Sequence, residues 1–269
     1  RGIGEFDGKG GEQGRESGGG AERLRAAGIE VDVGVEESVA RELNAPFFFA
    51  ARGATRPWVT LKLAVSLDGA IAGAPGSPDA PRWLTGELAR KYVHRLRAQS
   101  DAIAVGIGTA LADDPLLTVR SGRRPRVAPL RVVFDRSARL PLGSRLAKTA
   151  RRVPVLVLAD QVAAAAVGAL QAKGVLVASA PDILPKLELL GGRGVRSLFV
   201  EGGSGIAGAL LAAKAVDRLV IFQAPVLLGA GALPAFAGIT GVERLTVIER
   251  REFGADTMTV YAPSWANGV

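Results

Sequence analysis

Two charged side chains interrupt or end stretches of the sequence that are otherwise apolar. Lys62 lies inside LKLAVSL, and Glu201 is the last residue of SLFVE. A lysine in a buried strand is costly unless its amine reaches a cleft or a carboxylate. Ligands of open α/β sheets usually bind outside the carboxyl ends of the strands, where Glu201 is expected. Both residues are therefore candidates for proton transfer or for orienting a substrate, although Glu201 could instead only cap a turn.

The segment ADDPLLTVR combines acidic residues with an arginine. Asp113 and Asp114 precede Pro115, and Arg120 follows five residues later. Asp113 could face a cleft as an acid or as a partner of a ribose hydroxyl, and Arg120 could hold a substrate phosphate. Alternatively, the two aspartates only form the turn that Pro115 favours. The sequence leaves both interpretations open.

A glycine-rich turn joins a strand to a helix in SLFVEGGSGIAGALL. Gly202, Gly203 and Gly205 allow the backbone to approach an anion closely, and the amides at the start of a helix suit a phosphate or pyrophosphate. Such turns also occur where a strand and a helix only need to pack tightly. The strand–turn–helix context favours nucleotide binding and so, weakly, a pyridine-nucleotide-dependent reductase.

Composition excludes several kinds of site. The chain has no cysteine and a single histidine, His94. Cysteine-ligated zinc, iron–sulfur clusters and multi-histidine cages are therefore excluded, and we predict no metal site. His94 shares a predicted helix with Arg95 and Arg97, where a lone histidine is more often a hydrogen-bonded surface or packing residue, so we do not include it among the site candidates.

The formal net charge is +8, and arginines cluster between Arg120 and Arg131. No aromatic residues are interleaved with this cluster to stack on bases, so we expect attraction of phosphorylated metabolites and no nucleic-acid binding. An uninterrupted apolar run of about 18 residues and a signal-peptide pattern are both absent from the sequence. We therefore expect a soluble cytoplasmic protein that does not bind membranes.

Alternating segments position these residues. The strand WVTLKLAVSLDG opens the main domain after a linker from Arg52 to Pro57. We then predict helices at about 86–98, 108–114, 161–173, 183–190 and 205–213, alternating with the strands DAIAVG, LRVVFD, VPVLVL, GVLVAS and SLFVEGG. The last strands are DRLVIFQAP, LTVIERREF and TMTVYAP. This order predicts an α/β fold with a mostly parallel sheet, helices on both faces and antiparallel strands at the C-terminal end.

The N-terminal part differs in composition. Residues 1–20 contain mainly Gly, Glu, Lys and Arg, too little apolar surface to fold, and are predicted to be disordered. A helix over AERLRAAG, a strand over IEVDVGV and a helix over VEESVARELNAPFF stopped by Pro46 are predicted to form a short β/α unit.

Several of these segments together resemble the reductase domain of the bifunctional riboflavin-biosynthesis deaminase–reductase. They are TLKLAVSLDGAIA, RWLTG, VHRLRAQSDAIAVGIGTALADDPLLTVR, LRVVFD, LFVEGGSGIAGALL and VDRLVIFQAPVLLGAG. The match covers about Arg56 to Pro263 in order. It implies a dihydrofolate-reductase-like fold, usually dimeric, that uses NADPH to reduce the ribosyl group of 5-amino-6-(5-phosphoribosylamino)uracil. The resemblance further implies that residues 21–55 are the last β/α unit of the deaminase domain and that 56–269 form the reductase domain.

The resemblance also implies roles for individual residues. Lys62, Asp113 and Glu201 are expected to orient the sugar and relay a proton to a ring-opened imine. Further contacts to the substrate are expected from Thr85, Arg97, Leu117 and Arg120. The NADPH side is expected to include Ala64, Trp83, Thr109, Asp113, Gly203, Ser204, Gly205, Ile206, Ala207, Gly208 and Ala209.

Two positions depart from the family pattern. Pro81, in GAPGSPDAPRW, stands where the family commonly has serine, which removes one hydroxyl from the substrate side, and Ser77 is a possible replacement. Arg136 stands where the family commonly has serine after LRVVFD. We expect Arg136 to pair with the 2′-phosphate of the cofactor and to favour NADPH over NADH.

The zinc-binding motifs of the deaminase half, His-x-Glu and Pro-Cys-x-x-Cys, are absent from the sequence. We therefore expect no deaminase activity from this chain, which is either a fragment of a bifunctional protein or a reductase served by a separate deaminase. Two alternatives stay open. One is a reductase of the non-deaminated diaminopyrimidine or of a pterin-like substrate. The other is a non-catalytic scaffolding homologue.

Overall fold

A computed structural model describes residues 19–77, 81, 83–160, 162–239 and 242–266. Within these ranges the helices are α1 Gly20–Ala26, α2 Glu37–Leu43, α3 Ala45–Ala51, α4 Glu87–Ala98, α5 Ile107–Asp113, α6 Arg145–Lys148, α7 Ala164–Ala172, α8 Ile183–Gly191, α9 Ser204–Ala212 and a short 3-10 helix Ser264–Ala266. The strands are β1 Trp58–Val65, β2 Ala70–Ala72, β3 Ala102–Gly106, β4 Leu130–Phe134, β5 Val155–Ala159, β6 Leu176–Ser179, β7 Ser197–Glu201, β8 Arg218–Gln223, β9 Leu233–Pro234, β10 Leu245–Phe253 and β11 Asp256–Pro263.

Nine of these strands form one sheet in the order β10-β11-β8-β1-β7-β3-β4-β5-β6. Strands β1 and β3 to β8 run parallel, and β11 and β10 continue the sheet in antiparallel pairs beside β8. The predicted mostly parallel sheet with antiparallel strands at its C-terminal end is therefore confirmed. Strands β2 and β9, which form a separate two-stranded sheet, were not predicted.

The burial of the strands explains their order. Strand β5, VLVLA, is buried at every position, and β3 is buried at all but its last residue. Continuous apolar strands of this kind require helices on both faces, as in parallel sheets. By contrast, β10 is mostly exposed and forms one edge of the sheet. The two faces of the sheet bury separate apolar clusters, one containing Leu61 and Val200 and the other Ile103 and Phe199.

The N-terminal predictions are only partly correct. Residues 29–34, all of which the structure describes, form no strand, so the prediction of a strand over IEVDVGV is wrong. Alternation of apolar residues stabilises a strand only when another strand pairs with it. The helix predicted to stop at Pro46 instead ends at Leu43, and α3 begins at Ala45. Proline is tolerated in the first turn of a helix, so Pro46 starts α3.

The chain divides into two compact units, with the boundary between Asn44 and Ala45. In the first, helices α1 and α2 have no buried residues. Helix α3 belongs to the second unit, where Phe49 packs edge-on against Trp58 with ring centroids 5.6 Å apart. Most of the segment predicted as disordered lies outside the described residues, and Gly20 is already helical. Within the described ranges, helices are too short or too polar to cross a bilayer.

Candidate active site

A large cavity of about 1590 Å³ opens at the carboxyl ends of the central parallel strands. Glu201 ends β7, Gly106 ends β3 and Asp135 follows β4, and all three line the cavity. Most of the candidates from the sequence meet here. The cavity wall includes Lys62, Ala64, Trp83, Thr85, Arg97, Thr109, Asp113, Arg120, Arg136, Glu201, Gly203, Ser204, Gly205, Ile206 and Ala209.

Lys62, Glu201 and Arg97 form a charged group on the cavity wall. Lys62 in β1 is in register with Glu201 in the neighbouring strand β7. Arg97 of α4 donates from Nη2 to Oε2 of Glu201 at 2.8 Å and from Nε to Oε1. The side chains of Arg97 and Glu201 are only 11% and 17% exposed, so this two-pronged ion pair is largely buried.

These neighbours set the protonation of the group. Burial raises the pKa of the Glu201 carboxyl, but the charge and hydrogen bonds of Arg97, together with smaller effects of Lys62 and His94, bring the pKa below its ordinary value. Burial lowers the pKa of the Lys62 ammonium, and the charge of Arg97 lowers it further, against the opposing effect of Glu201. Glu201 is therefore a carboxylate at neutral pH, and Lys62 releases its proton more readily than an exposed lysine.

The segment after α5 separates the roles of its two aspartates. Asp114, with a φ of 39°, accepts a hydrogen bond at 2.7 Å from the main-chain N–H of Arg145 at the start of α6. Asp113 is exposed at the cavity wall, and Arg120 lies on the same wall. Asp114 therefore contributes to the turn, as one interpretation of the sequence expected, whereas Asp113 lines the cavity and its role as an acid or sugar partner stays a prediction.

The glycine-rich turn contains glycines of two kinds. A Cβ at Gly203 would lie 2.7 Å from Oγ1 of Thr109, and one at Gly202 would lie 3.0 Å from Cδ1 of Leu61, so these two glycines permit close packing. A Cβ at Gly205 would meet no heavy atom of the described residues within 4 Å. Gly203 precedes the first turn of α9 and has no side chain to cap it, which leaves amides of that turn available to an anion.

A second charged group lies at the ends of β4 and β5. Arg136 donates from Nε to Oδ2 of Asp160 at 2.9 Å, and Nζ of Lys186 pairs with Oδ1 of the same carboxylate. The Arg136 side chain is 85% exposed, whereas that of Lys186 is 6% exposed. The hydrogen bond from Lys186 and that from Arg136 lower the pKa of Asp160 despite the opposing effect of burial. Arg136 can therefore turn toward a ligand while Lys186 holds Asp160.

Four candidates are placed away from the cavity wall. The side chain of Leu117 is 3% exposed and packs in the core, so only its main chain is available to a ligand. Ala207 is buried in the core. A Cβ at Gly208 would lie 2.2 Å from the Ala237 carbonyl oxygen, so this glycine is needed for packing. Ser77 is exposed and lies outside the described cavity wall, whereas Pro81 lines it.

Several residues of the cavity wall were missed by the sequence analysis, among them His94, Asp160 and Lys186. His94 was discounted because a lone histidine is usually structural, yet it lines the cavity one helical turn from Arg97. Asp160 and Lys186 have only one signal in the sequence: Asp160 directly follows a buried strand. Lys186 has none, because its burial depends on how α8 packs beside β5. Within the described ranges, groups of three or more potential metal ligands are absent.

The profile of the RibD C-terminal domain family matches residues 57–259. The chain belongs to this family. The riboflavin biosynthesis protein RibD of Aquifex aeolicus is 37% identical over 241 residues, which cover 88% of this chain and 65% of that protein. The chain thus spans somewhat less than two thirds of the length of this curated relative.

Solved structures give the same relationship. Acinetobacter baumannii RibD has a TM-score of 0.75 and 30% identity and covers 92% of this chain, which covers 69% of that one. A Thermotoga maritima protein described as a diaminohydroxyphosphoribosylaminopyrimidine deaminase/5-amino-6-(5-phosphoribosylamino)uracil reductase has a TM-score of 0.73 and 29% identity, with coverages of 90% and 66%. The α/β fold expected for the chain, with its mostly parallel sheet, is shared with these structures.

Proposed function

We propose that this chain reduces the ribosyl group of 5-amino-6-(5-phosphoribosylamino)uracil to a ribityl chain with NADPH, as a step of riboflavin biosynthesis. The observation that carries the proposal is that a single cavity takes in both the first turn of α9 and the group of Lys62, Glu201 and Arg97. The cavity volume of about 1590 Å³ leaves room for a substrate beside a dinucleotide, and Arg120 and Arg136 line the cavity from separate loops.

The cavity wall fits a dinucleotide. Gly205 leaves space beside the first turn of α9, where helix amides and the helix dipole favour a pyrophosphate. Arg136 offers an exposed guanidinium suited to a 2′-phosphate. Trp83 is 58% exposed at the wall and offers a flat apolar surface. When bound, NADPH supplies the hydride that adds to C1′ of the ring-opened substrate.

The reduction also requires one proton, on the nitrogen attached to C1′. Lys62 is the proposed donor, because its lowered pKa makes its ammonium a better acid than an ordinary lysine. Glu201 stays ionised, holds Arg97 by a two-pronged ion pair and attracts the ammonium of Lys62 through its charge, so we assign it an orienting role. Asp113 faces the cavity as a partner for sugar hydroxyls, and solvent returns the proton to Lys62.

The decisive experiment is a substrate-resolved assay of NADPH oxidation. The chain should oxidise NADPH with 5-amino-6-(5-phosphoribosylamino)uracil and yield the ribitylamino product, identified by mass spectrometry. The non-deaminated diaminopyrimidine should react far more slowly. Preference for the diaminopyrimidine or a pterin would replace the proposed substrate. Failure to bind NADPH in a fluorescence titration would support the scaffolding alternative and reject an enzymatic role.

Arg136 provides a test of cofactor preference. We expect Arg136→Ser to lower the ratio of kcat/KM for NADPH to that for NADH by about fivefold, the modest effect of an exposed charge pair. Arg193→Ser, which removes an exposed arginine at the end of α8, serves as the matched control. An unchanged ratio in Arg136→Ser, or an equal fall in the control, would contradict the role of Arg136.

We propose that residues 21–55 are the end of a deaminase domain, in line with the resemblance. Apolar side chains of this part are exposed, including Val33 at 74%, Val35 at 73% and Leu43 at 75%. Surface of this kind is typical of a segment that packs against further protein. A deaminase partner, a homodimer and a cytoplasmic location stay predictions. Size-exclusion chromatography with light scattering of the chain tests the dimer.

A further inference from the structure

His94 contacts the main chain of Arg120, the arginine that is proposed to bind the substrate phosphate. It lies in α4, is partly buried and lines the cavity. Its Nδ1 accepts a hydrogen bond at 3.2 Å from the main-chain N–H of Arg120. An acceptor at Nδ1 requires a neutral imidazole with its proton on Nε2, because a protonated imidazole has no acceptor. The contact therefore selects one tautomer of His94.

The loop that ends at Arg120 needs such contacts. Asp114 and Leu117 have φ values of 39° and 49°, which non-glycine residues adopt only when their surroundings impose them. Nη1 of Arg97 donates to the Thr118 carbonyl at 3.0 Å, which fixes the middle of the loop. The hydrogen bond from the main-chain N–H of Arg120 to His94 then fixes the main chain of Arg120, which lines the cavity.

Charged groups from three elements face His94. Arg97 lies on the same helix, Arg120 on the loop and Glu201 on β7. Burial lowers the pKa of His94, the positive charges of Arg97 and Arg120 lower it further, and Glu201 and the Thr118 carbonyl oppose them. The imidazole is consequently neutral at neutral pH, and Nδ1 stays available as an acceptor.

We infer that His94 is a positioning residue, which as the neutral Nε2–H tautomer fixes the main chain of Arg120 so that its guanidinium meets the substrate phosphate. The part of this inference that concerns the phosphate rests on the proposed function. The tautomer of His94 and its contact with Arg120 do not depend on the proposed function. Loss of the acceptor should weaken phosphate binding more than it slows the chemical step, since His94 itself transfers no proton.

The tautomer can be measured without any activity. His94 is the only histidine of the chain, so nitrogen-15 NMR of the full chain with labelled histidine reports this residue alone. At neutral pH we expect an unprotonated Nδ1 and a protonated Nε2, and a titration midpoint below the ordinary value of 6.5. A proton on Nδ1 at neutral pH, or an imidazolium, would overturn the inference.

Two variants test the consequence for binding. His94→Leu removes the acceptor, and His94→Asn offers an amide oxygen near the position of Nδ1. We expect His94→Leu to raise the KM for the phosphorylated substrate about fivefold, the usual effect of one hydrogen bond, with a smaller change in kcat. His94→Asn should recover most of this loss. Lys91→Met, on the exposed side of α4, is the matched control and should match wild type.

The pH dependence separates His94 from the substrate itself. A phosphate monoester titrates near pH 6, so KM rises on acidification in every variant. In wild type, protonation of His94 adds to this rise as the pH falls through its lowered pKa, which lies below the ordinary value of 6.5, whereas His94→Asn cannot titrate and should lack the added part. Identical KM profiles in wild type and His94→Asn, or equal KM in wild type and His94→Leu, would overturn the inference.

Failure of the proposed function has a different signature. If wild-type protein does not turn over the phosphoribosylaminouracil, that function is wrong, and binding of ribose 5-phosphate measured by calorimetry replaces KM. His94→Leu should then bind ribose 5-phosphate about fivefold more weakly than wild type. Equal affinity in wild type, His94→Leu and His94→Asn would overturn the inference about His94 alone.

Discussion

Replacing Glu201 by glutamine removes the negative charge from the buried pair with Arg97 while keeping the shape of the side chain. The exposed fractions of Glu201 and Arg97 are 17% and 11%, so solvent cannot take over the role of the missing carboxylate. The amide of glutamine has one oxygen instead of two, and its NH2 group would face a guanidinium donor. Arg97 is then left as a largely buried cation without a counter-ion.

The expected cost follows from this geometry. Breaking a buried pair by removing one partner costs about 3–5 kcal/mol. Because both groups keep some exposure to solvent, we expect a cost near the lower end of this range, about 3 kcal/mol. For a chain of this size, that corresponds to a melting temperature lower by roughly 6–12 °C. Because Glu201 raises the pKa of Lys62, the substitution should lower that pKa further and shift the alkaline limb of the pH–rate profile to lower pH.

Urea unfolding of wild type and Glu201→Gln measures this difference directly. Glu252→Gln, at an exposed position of β10, is the matched control and should change the free energy of unfolding by less than about 0.5 kcal/mol. A carboxylate with a lowered pKa stabilises the fold above its ordinary pKa of 4.5 and loses this effect as the pH falls through the lowered value. The gap between wild type and Glu201→Gln should therefore shrink in acid. A loss below about 1 kcal/mol at neutral pH would refute the buried pair.

Two further substitutions test separate features of the cavity. Lys62→Met removes the proposed proton donor and the cost of burying an ammonium, so turnover should fall at least about a hundredfold while the urea midpoint stays equal or rises. Turnover within a few fold of wild type would contradict the role of Lys62. Gly203→Ala places a Cβ against Thr109 and should lower the free energy of unfolding by about 1–3 kcal/mol, whereas Gly205→Ala has open space and should not. Equal urea midpoints for the two alanine variants would contradict the packing described for the turn.

The central strands were predictable because β3 and β5 are apolar along their whole length and β4 is apolar except for Arg131. VPVLVL and LRVVFD have no other stable environment than a sheet covered on both faces, and the structure places β5 and β4 there. The prediction of a strand over IEVDVGV was wrong for the opposite reason. Its alternation describes a strand with one buried face, which forms only when another strand supplies hydrogen bonds and further residues cover that face.

Individual residues of the candidate site could be predicted from the sequence, but the contacts between them could not. Lys62 and Glu201 stand out because a charge in or at the end of an apolar strand is conspicuous. Their register across β1 and β7 is set by the order of strands in the sheet, which the sequence does not contain. The partnership of Arg97 with Glu201 joins residues 104 positions apart, so no local pattern reveals it. His94 was discounted because a lone histidine on a helix is usually structural, and its partner, the main-chain N–H of Arg120, lies on a separate loop that the sequence does not link to it.

The pairing changes what Glu201 can do in catalysis. Considered from the sequence, Lys62, Asp113 and Glu201 were equivalent candidates for relaying a proton. A carboxylate whose pKa is lowered by Arg97 holds no proton at neutral pH, whereas burial and the same arginine make Lys62 more acidic. Arg97 therefore separates the two residues: it keeps Glu201 charged, whereas burial, with a smaller contribution from the charge of Arg97, makes Lys62 more acidic. The proposed reduction consumes one proton for each hydride. Lys62 as the acid and Glu201 as a permanently ionised neighbour, at paired positions of adjacent strands, suit that requirement.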